Sequence, residues 1–324
     1  MNFCSYFDRA HLTRGVLMAR SLFRHRPDAH LTLLCFDDTV RRVISELFGE
    51  RILLMDIEEL ERLDPALLEA RGNRTFREYL STVRPSLMLE LLQGQPEGST
   101  LHYLDADVYF FSDPAPLEVE LEEADVLLTP HDFAPQHQHW NALGDFNAGW
   151  LSARNSAGGR DALAWWRERC LEWCKMAVEE GRYANQGYLN GMLAHFPQVR
   201  AARHRGLNVG PWNAANRQLG HDGERFTAGA DPLLAYHFST ISRLAPGWFF
   251  TELYAYGSLP RGLLGGIYHR YLDSFEQIHR QHRNRPLPGL EWPRGFRRRA
   301  RRLLEVAVKL VRSDFIRAVP ENAE

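Results

Sequence analysis

The chain has 324 residues, 44% of them hydrophobic and 25% charged, with a net charge of −2 from 39 basic and 41 acidic side chains. These values exclude a wholly disordered chain, a collagen-like repeat and a disulfide scaffold. They also leave no global field that favours nucleic acid, and none is expected as a partner. With 8 Trp, 11 Tyr and 18 Phe a sizeable core is available. The basic side is almost all Arg, with lysine only at Lys175 and Lys309. Four cysteines, Cys4, Cys35, Cys170 and Cys174, do not suggest a secreted disulfide framework. Asp8 and Arg9 interrupt the N-terminus early, unlike a signal peptide, and no 18-residue apolar run occurs. The expected compartment is the cytoplasm, with no membrane-spanning helix.

Phe3 to Phe7 is short and apolar, as a buried strand is, and Leu12 to Arg24 follows with helical spacing. His30 to Phe36 is the next predicted strand, Thr39 to Phe48 a helix, Arg51 to Met55 a strand and Glu58 to Ala70 a helix. This alternation predicts a mostly parallel sheet with helices on both faces. Phe76 to Leu92 is a further helix that Pro85 must kink or interrupt. Thr100 to Phe111 is the strongest strand pattern, and Asp125 to Pro130 is another. Asp161 to Glu180 carries a helical apolar stripe that Gly181 would end. Cys170 and Cys174 lie four apart on it. Two thiolates there could hold a metal, but no further ligand lies near, so small core residues are the better reading. Arg182 to Pro260 is irregular and rich in Gly, Asn and aromatics, as binding surfaces often are. Pro286 to Pro293 reads as a linker. It divides residues 1–285 from a basic amphipathic helix within 286–324, whose segment 294–312 holds seven Arg, one Lys and one Glu.

The chemistry centres on Asp105-Ala-Asp107, framed by apolar residues on both sides. In a strand, residues i and i+2 share a face, so both carboxylates point the same way. Two carboxylates between hydrophobic flanks call for compensation, and a hard divalent cation such as Mg²⁺ or Mn²⁺ supplies it. The alternative is a solvated strand end with two ordinary acids.

Tyr103-Leu-Asp-Ala-Asp-Val resembles the Asp-x-Asp strand of GT-A glycosyltransferases, in particular the family-eight-like retaining enzymes that use nucleotide sugars. Other segments agree in order: Phe146-Asn-Ala-Gly-Trp-Leu151, Asn185-Gln-Gly-Tyr-Leu-Asn190, Asn208-Val-Gly-Pro-Trp-Asn213 and His237-Phe-Ser-Thr-Ile-Ser-Arg243. The resemblance spans about residues 1 to 250 and implies a Rossmann-like GT-A fold. It implies that Asp105, Asp107 and His237 hold Mn²⁺ or Mg²⁺, with Asp105 also near the donor ribose. Arg243 would bind phosphate where the family has Lys, and Thr240 replaces the usual Gly. Asn147, Gln186 and Arg84 would surround the sugar, and Asp132 would accept a sugar hydroxyl or serve a turn. Tyr6 and Asp8 would contact the base, and His11 would stack on it. Asn185 stands where the family usually has Asp, so an amide replaces an acid that helps bind the donor sugar.

The resemblance thus implies metal-dependent transfer of a hexose from a nucleotide sugar, a UDP-sugar above all, to a hydroxyl. A glycan or lipid-linked glycan, such as a growing bacterial surface glycan, is the implied acceptor. Gln186 is a neutral amide with little basicity, which favours front-face attack over a covalent intermediate. The basic 294–312 segment could lie on an anionic membrane, or be a solvated or docked helix. Two rivals remain. A nucleotidyltransferase would show a Gly-rich phosphate loop near the N-terminus, and none is present. A catalytically silent nucleotide-sugar-binding or scaffold protein is kept open by Asn185 and Thr240.

Overall fold

The computed structural model describes residues 1–245, 247–251, 253–256, 261–282 and 315–317. The first strand, β1 (Asn2–Phe7), sits between two apolar layers. Phe3 and Phe7 enter one cluster while Cys4 and Tyr6 enter the other, as strand alternation dictates. Then come α1 (Leu12–His25), β2 (His30–Cys35), α2 (Asp38–Phe48) and β3 (Ile52–Asp56). The Asp37 carboxylate caps α2 by accepting from the backbone N–H groups of Thr39 and Val40. The helix expected over Glu58 to Ala70 is two, α3 (Ile57–Leu63) and α4 (Ala66–Asn73), because Pro65 cannot continue the first.

Helix α5 (Phe76–Gln93) opens with a capping box between Thr75 and Glu78 and runs on through Pro85. Pro85 has no N–H, so the Ser81 carbonyl four residues earlier lacks its helical donor. The Asn185 side-chain amide donates to that carbonyl instead, at 2.8 Å.

The strand expected over Thr100 to Phe111 is also two. β4 (Thr100–Leu104) belongs to the main sheet, while β5 (Val108–Phe110) leaves it. After α6 (Pro116–Glu122), β6 (Val126–Pro130) and β7 (Phe146–Arg154), helix α7 (Ala157–Glu172) ends short of the expected Glu180. The chain turns extended at Trp173, and Arg74 binds the carbonyls of Cys170 and Leu171. Cys170 is therefore on the helix and Cys174 beyond it, both buried in the core.

The rest comprises α8 (Leu189–His195), β8 (Val199–Ala201), β9 (Leu219–His221), β10 (Phe226–Ala228), β11 (Asp231–Pro232) and β12 (Ala235–His237). Strands β13 (Ser242–Ala245) and β14 (Trp248–Phe250), helix α9 (Arg261–Gln281) and strand β15 (Phe315–Arg317) complete the described strands and α-helices. The expected linker at 286–293 and the basic helix at 294–312 lie outside the described residues.

The main sheet has the order β3-β2-β1-β4-β7-β6-β8, with only β7 antiparallel to its neighbours. Helices α1, α2 and α9 supply residues to the apolar cluster on one face, and α5 and α7 to that on the other. β5 pairs antiparallel with β12, which sets His237 opposite Val108. The turns that follow β1 and β4 lie at the carboxyl ends of neighbouring parallel strands. Open α/β sheets bind ligands there.

Candidate functional site

A cavity of about 620 Å³ opens at those strand ends. Tyr6, Asp8 and His11 line it from the segment at and after β1. Arg84 enters from α5, Asp105 and Asp107 from the turn after β4, Asn147 from β7, and Asn185 and Gln186 from the segment before α8.

Asp105-Ala-Asp107 is a turn and not a strand. The Asp105 N–H donates to Gly149 O at 2.8 Å, the Val108 N–H donates back to Asp105 O at 3.2 Å, and Ala106 packs inward. The turn aims both carboxylates at His237. Ligand atoms of Asp105, Asp107 and His237 lie within 4.8 Å of one another. His237 Nε2 is 2.9 Å from Asp107 Oδ1 and 4.0 Å from Asp105 Oδ2. Burial opposes ionisation of Asp107, but His237, helped by Arg14 at 3.6 Å from Asp107 Oδ2, holds the Asp107 carboxyl below the usual range. Burial likewise works against the charged form of His237, and Asp107 and Asp105 together raise its pKa.

Arg84 is spent on this construction. Its guanidinium donates to Tyr6 Oη at 3.3 Å, to Ala148 O at 2.6 Å and to Asp105 Oδ1 at 2.7 Å, and it lies over the Tyr103 ring at 4.3 Å. Tyr103 Oη also donates to Asp105 Oδ1, at 2.9 Å. One carboxylate oxygen of Asp105 is thus held by the protein, while the other turns toward His237. Gly149 makes the approach possible. A Cβ there would lie 2.4 Å from His237 Cε1, 2.7 Å from Asn147 Oδ1 and 2.9 Å from Asp105 Oδ2.

Behind His237 runs a line of amides. His237 Nδ1 contacts Asn208 Oδ1 at 3.0 Å, Asn208 Nδ2 donates to Asn147 Oδ1 at 2.9 Å, and Asn147 Nδ2 meets His131 Nε2 at 3.1 Å. His131 Nδ1 in turn meets Gly144 O at 2.8 Å. Burial pushes the His131 pKa down to about 4.

The other expected residues fall as follows. Tyr6 is buried and its hydroxyl donates to Leu80 O, while His11 Nδ1 and Asp8 Oδ1 bond at 2.6 Å at the cavity rim. That bond holds the Asp8 carboxyl below its usual range. Gln186 Nε2 donates to Leu143 O at 2.9 Å. Asn185 borders the cavity, but its amide nitrogen is committed to Ser81.

Two residues depart from expectation. Arg243 does not line the cavity, and its guanidinium closes on Glu276 of α9 at 2.6 and 3.0 Å. Asp132 lines a neighbouring polar hollow of about 440 Å³ with Phe133, Gln138, Asn141, Asp145 and Arg217. There Arg217 Nε pairs with it at 3.0 Å. Sequence reasoning missed Arg14, Tyr103, His131 and Asn208. Asn208 stood within the matched 208–213 segment but had been given no role.

The profile of the nucleotide-diphospho-sugar transferase family matches residues 28–212. The chain belongs to that family. The transferase is 32% identical over 245 residues to the uncharacterized protein YfnF of Bacillus subtilis (strain 168), covering 73% of this chain and 80% of that one. It is 31% identical over 241 residues to the uncharacterized protein YfnD of the same organism, covering 74% and 77%. Among solved structures it resembles the galactosyltransferase LgtC in complex with donor and acceptor sugar analogues. The TM-score is 0.55 at 19% identity, over 86% of this chain and 96% of that one. This likeness shows the GT-A fold, and the transferase is a nucleotide-sugar glycosyltransferase of that type. Among the described residues no helix is long and apolar enough to cross a membrane.

Proposed function

We propose that this transferase moves a hexose from a UDP-sugar to a hydroxyl of a glycan or lipid-linked glycan, with retention of configuration and with Mn²⁺ or Mg²⁺. The observation that carries the reading is the convergence of His237 with Asp105 and Asp107, which line a cavity large enough for a nucleotide sugar. Two carboxylates and one imidazole suit these cations, and Arg84 and Tyr103 already fix the inner oxygen of Asp105. When bound, the cation would neutralise the two phosphates of the departing nucleoside diphosphate. Asp105, Asp107 and His237 would hold it, and Arg14 adds positive charge nearby.

The carboxylates that line the cavity among the described residues are Asp8, Asp105 and Asp107. Two belong to the cation site and the third is bonded to His11. None is left as a nucleophile, which supports front-face attack. The acceptor hydroxyl approaches on the side where the diphosphate departs, and a phosphate oxygen takes its proton. Gln186 is anchored through its amide nitrogen, so its oxygen is the end left to accept from a sugar hydroxyl. The hollow beside Asp132 offers polar groups for an acceptor. We take residues 1–285 as the catalytic unit. The basic 294–312 segment would bring it to an anionic membrane carrying the acceptor of a bacterial surface glycan.

The test is a donor screen with Mn²⁺ that detects free nucleoside diphosphate. Release from one donor, lost with chelator and lost in a folded Asp107→Ala variant, supports the reading and names the sugar. Thermal stabilisation by UDP with Mn²⁺ but no release from any donor, acceptor present, favours a silent binder, the reading that Asn185 keeps open. Neither release nor stabilisation overturns the cation site.

A further inference from the structure

We infer that His131, which lies outside the cavity lining, is a positioning residue for the cation site. It acts by anchoring the far end of a hydrogen-bond line that ends on His237. The inference rests on the proposed cation site and deepens it.

The line crosses four parts of the fold. His131 follows β6, Asn147 is on β7, Asn208 lies in the loop between β8 and β9, and His237 ends β12. Its direction is set at two points, the Gly144 carbonyl at the far end and the Gly149 N–H beside Asn147. Gly144 O can only accept, so His131 Nδ1 must carry the hydrogen that bonds it. A neutral imidazole has one N–H, so Nε2 is left as an acceptor. Asn147 must then present its NH₂ to His131, which turns its oxygen the other way. That oxygen accepts from Asn208 Nδ2 and from the Gly149 N–H, a backbone donor that cannot reverse. Asn208 therefore offers its own oxygen to His237, so Nδ1 of His237 carries a hydrogen. Nε2 is the nitrogen facing Asp105 and Asp107; without a cation it donates to Asp107 at 2.9 Å, and a bound cation would take the place of that hydrogen.

The surroundings hold the line still. Asn208 is fully buried, and His131 is 5% exposed, stacked on Phe133 at 4.5 Å and edge-on to Trp212. His237 sits edge-on to the same Trp212 at 5.2 Å. Burial keeps His131 neutral, so its Nε2 stays an acceptor. Without that acceptor the Asn147 amide loses the partner for its NH₂. The Gly149 N–H still holds the Asn147 oxygen, so the line keeps its direction but loses its outer anchor, and the Asn208 oxygen is held less firmly against His237 Nδ1.

The test measures Mn²⁺ affinity through the electron paramagnetic resonance signal of the free ion. It compares wild type with His131→Leu, which removes the acceptor at similar size, and His131→Gln, which keeps one. His131→Leu is expected to bind Mn²⁺ about tenfold to a hundredfold more weakly, the range for losing an outer partner of a metal ligand. His131→Gln should stay close to wild type. With Mg²⁺ bound, the ¹⁵N shift of the His237 Nδ1–H, hydrogen-bonded to Asn208 in wild type, should move in His131→Leu and stay in His131→Gln. Should His131→Leu not fold, Asn208→Gly interrupts the same line at a position whose φ of +48° glycine accepts, and the same loss is expected. Wild-type affinity in the interrupted variant overturns the inference while leaving the cation site standing. So does a His131→Gln variant as weak as His131→Leu. Failure of wild type itself to bind Mn²⁺ overturns both.

Discussion

Asn185 donates its side-chain amide to the carbonyl of Ser81, the helical acceptor that Pro85 cannot serve. Two departures from the usual pattern, a proline inside α5 and an amide where the family commonly has an acid, are thereby one structural unit. A carboxylate at position 185 has no hydrogen to give and would set its oxygen against the Ser81 oxygen.

Asn185→Asp alone should therefore destabilise the fold by about 1–3 kcal/mol, the cost of leaving a buried carbonyl unmade. Pro85→Ala restores an N–H four residues after Ser81, so in that background the same change should cost less. Urea unfolding of the four proteins gives the coupling, expected at about 1 kcal/mol or more. A coupling of zero would mean that Asn185 and Pro85 act independently.

Gly149→Ala tests how tightly the proposed cation site is built. The added methyl meets His237, Asn147 and Asp105 at once, all below 3.0 Å. The expected cost is about 1–3 kcal/mol of stability from overpacking. Mn²⁺ affinity should fall with it, since two of the three groups displaced are the proposed ligands Asp105 and His237. Unchanged Mn²⁺ binding would show that the trio can relax away from β7.

Arg84→Lys separates charge from shape. Lysine keeps the positive charge but cannot span Tyr6, Ala148 and Asp105 with one planar fork. Hydrogen bonds to charged groups are worth about 1.5–3 kcal/mol each, so a loss of about 2 kcal/mol is expected in thermal or urea unfolding. Mn²⁺ binding should weaken because Asp105 Oδ1 loses its anchor. Wild-type stability and Mn²⁺ affinity would show that charge alone suffices.

The parallel half of the sheet was legible because strand and helix periods are local. Phe3 and Cys4 face opposite ways whatever lies elsewhere, and Pro65 and Pro85 announce their own disturbances. What escaped was set at long range. The strand through Asp105 and Asp107 breaks because β5 pairs with β12, more than a hundred residues later, and α7 stops where Arg74 claims its last carbonyls. The same holds at the site. Asp105, Asp107 and His237 could be grouped through a family resemblance, whereas Arg243 is engaged by Glu276 on a helix that no motif pointed to. His131 carries no sequence signal of its own, and its role depends on which end of each amide faces which neighbour.

The burial of neutral His131 also predicts an acid sensitivity with a definite sign. Its pKa is about 4 when folded, against 6.5 as the ordinary value, so between those values the unfolded chain binds the extra proton. Its contribution is fully present above pH 6.5 and lost as pH falls toward 4, an effect of about 3 kcal/mol at most for one such group. His102 and His279 are also lowered and add in the same direction, while the raised His237 opposes them. The comparison must therefore be between variants. Metal-free His131→Gln should lose less stability than wild type between pH 7 and pH 5, read as a smaller drop in Tm. Equal drops would place the acid sensitivity on the other histidines and remove His131 as a group held neutral by the fold.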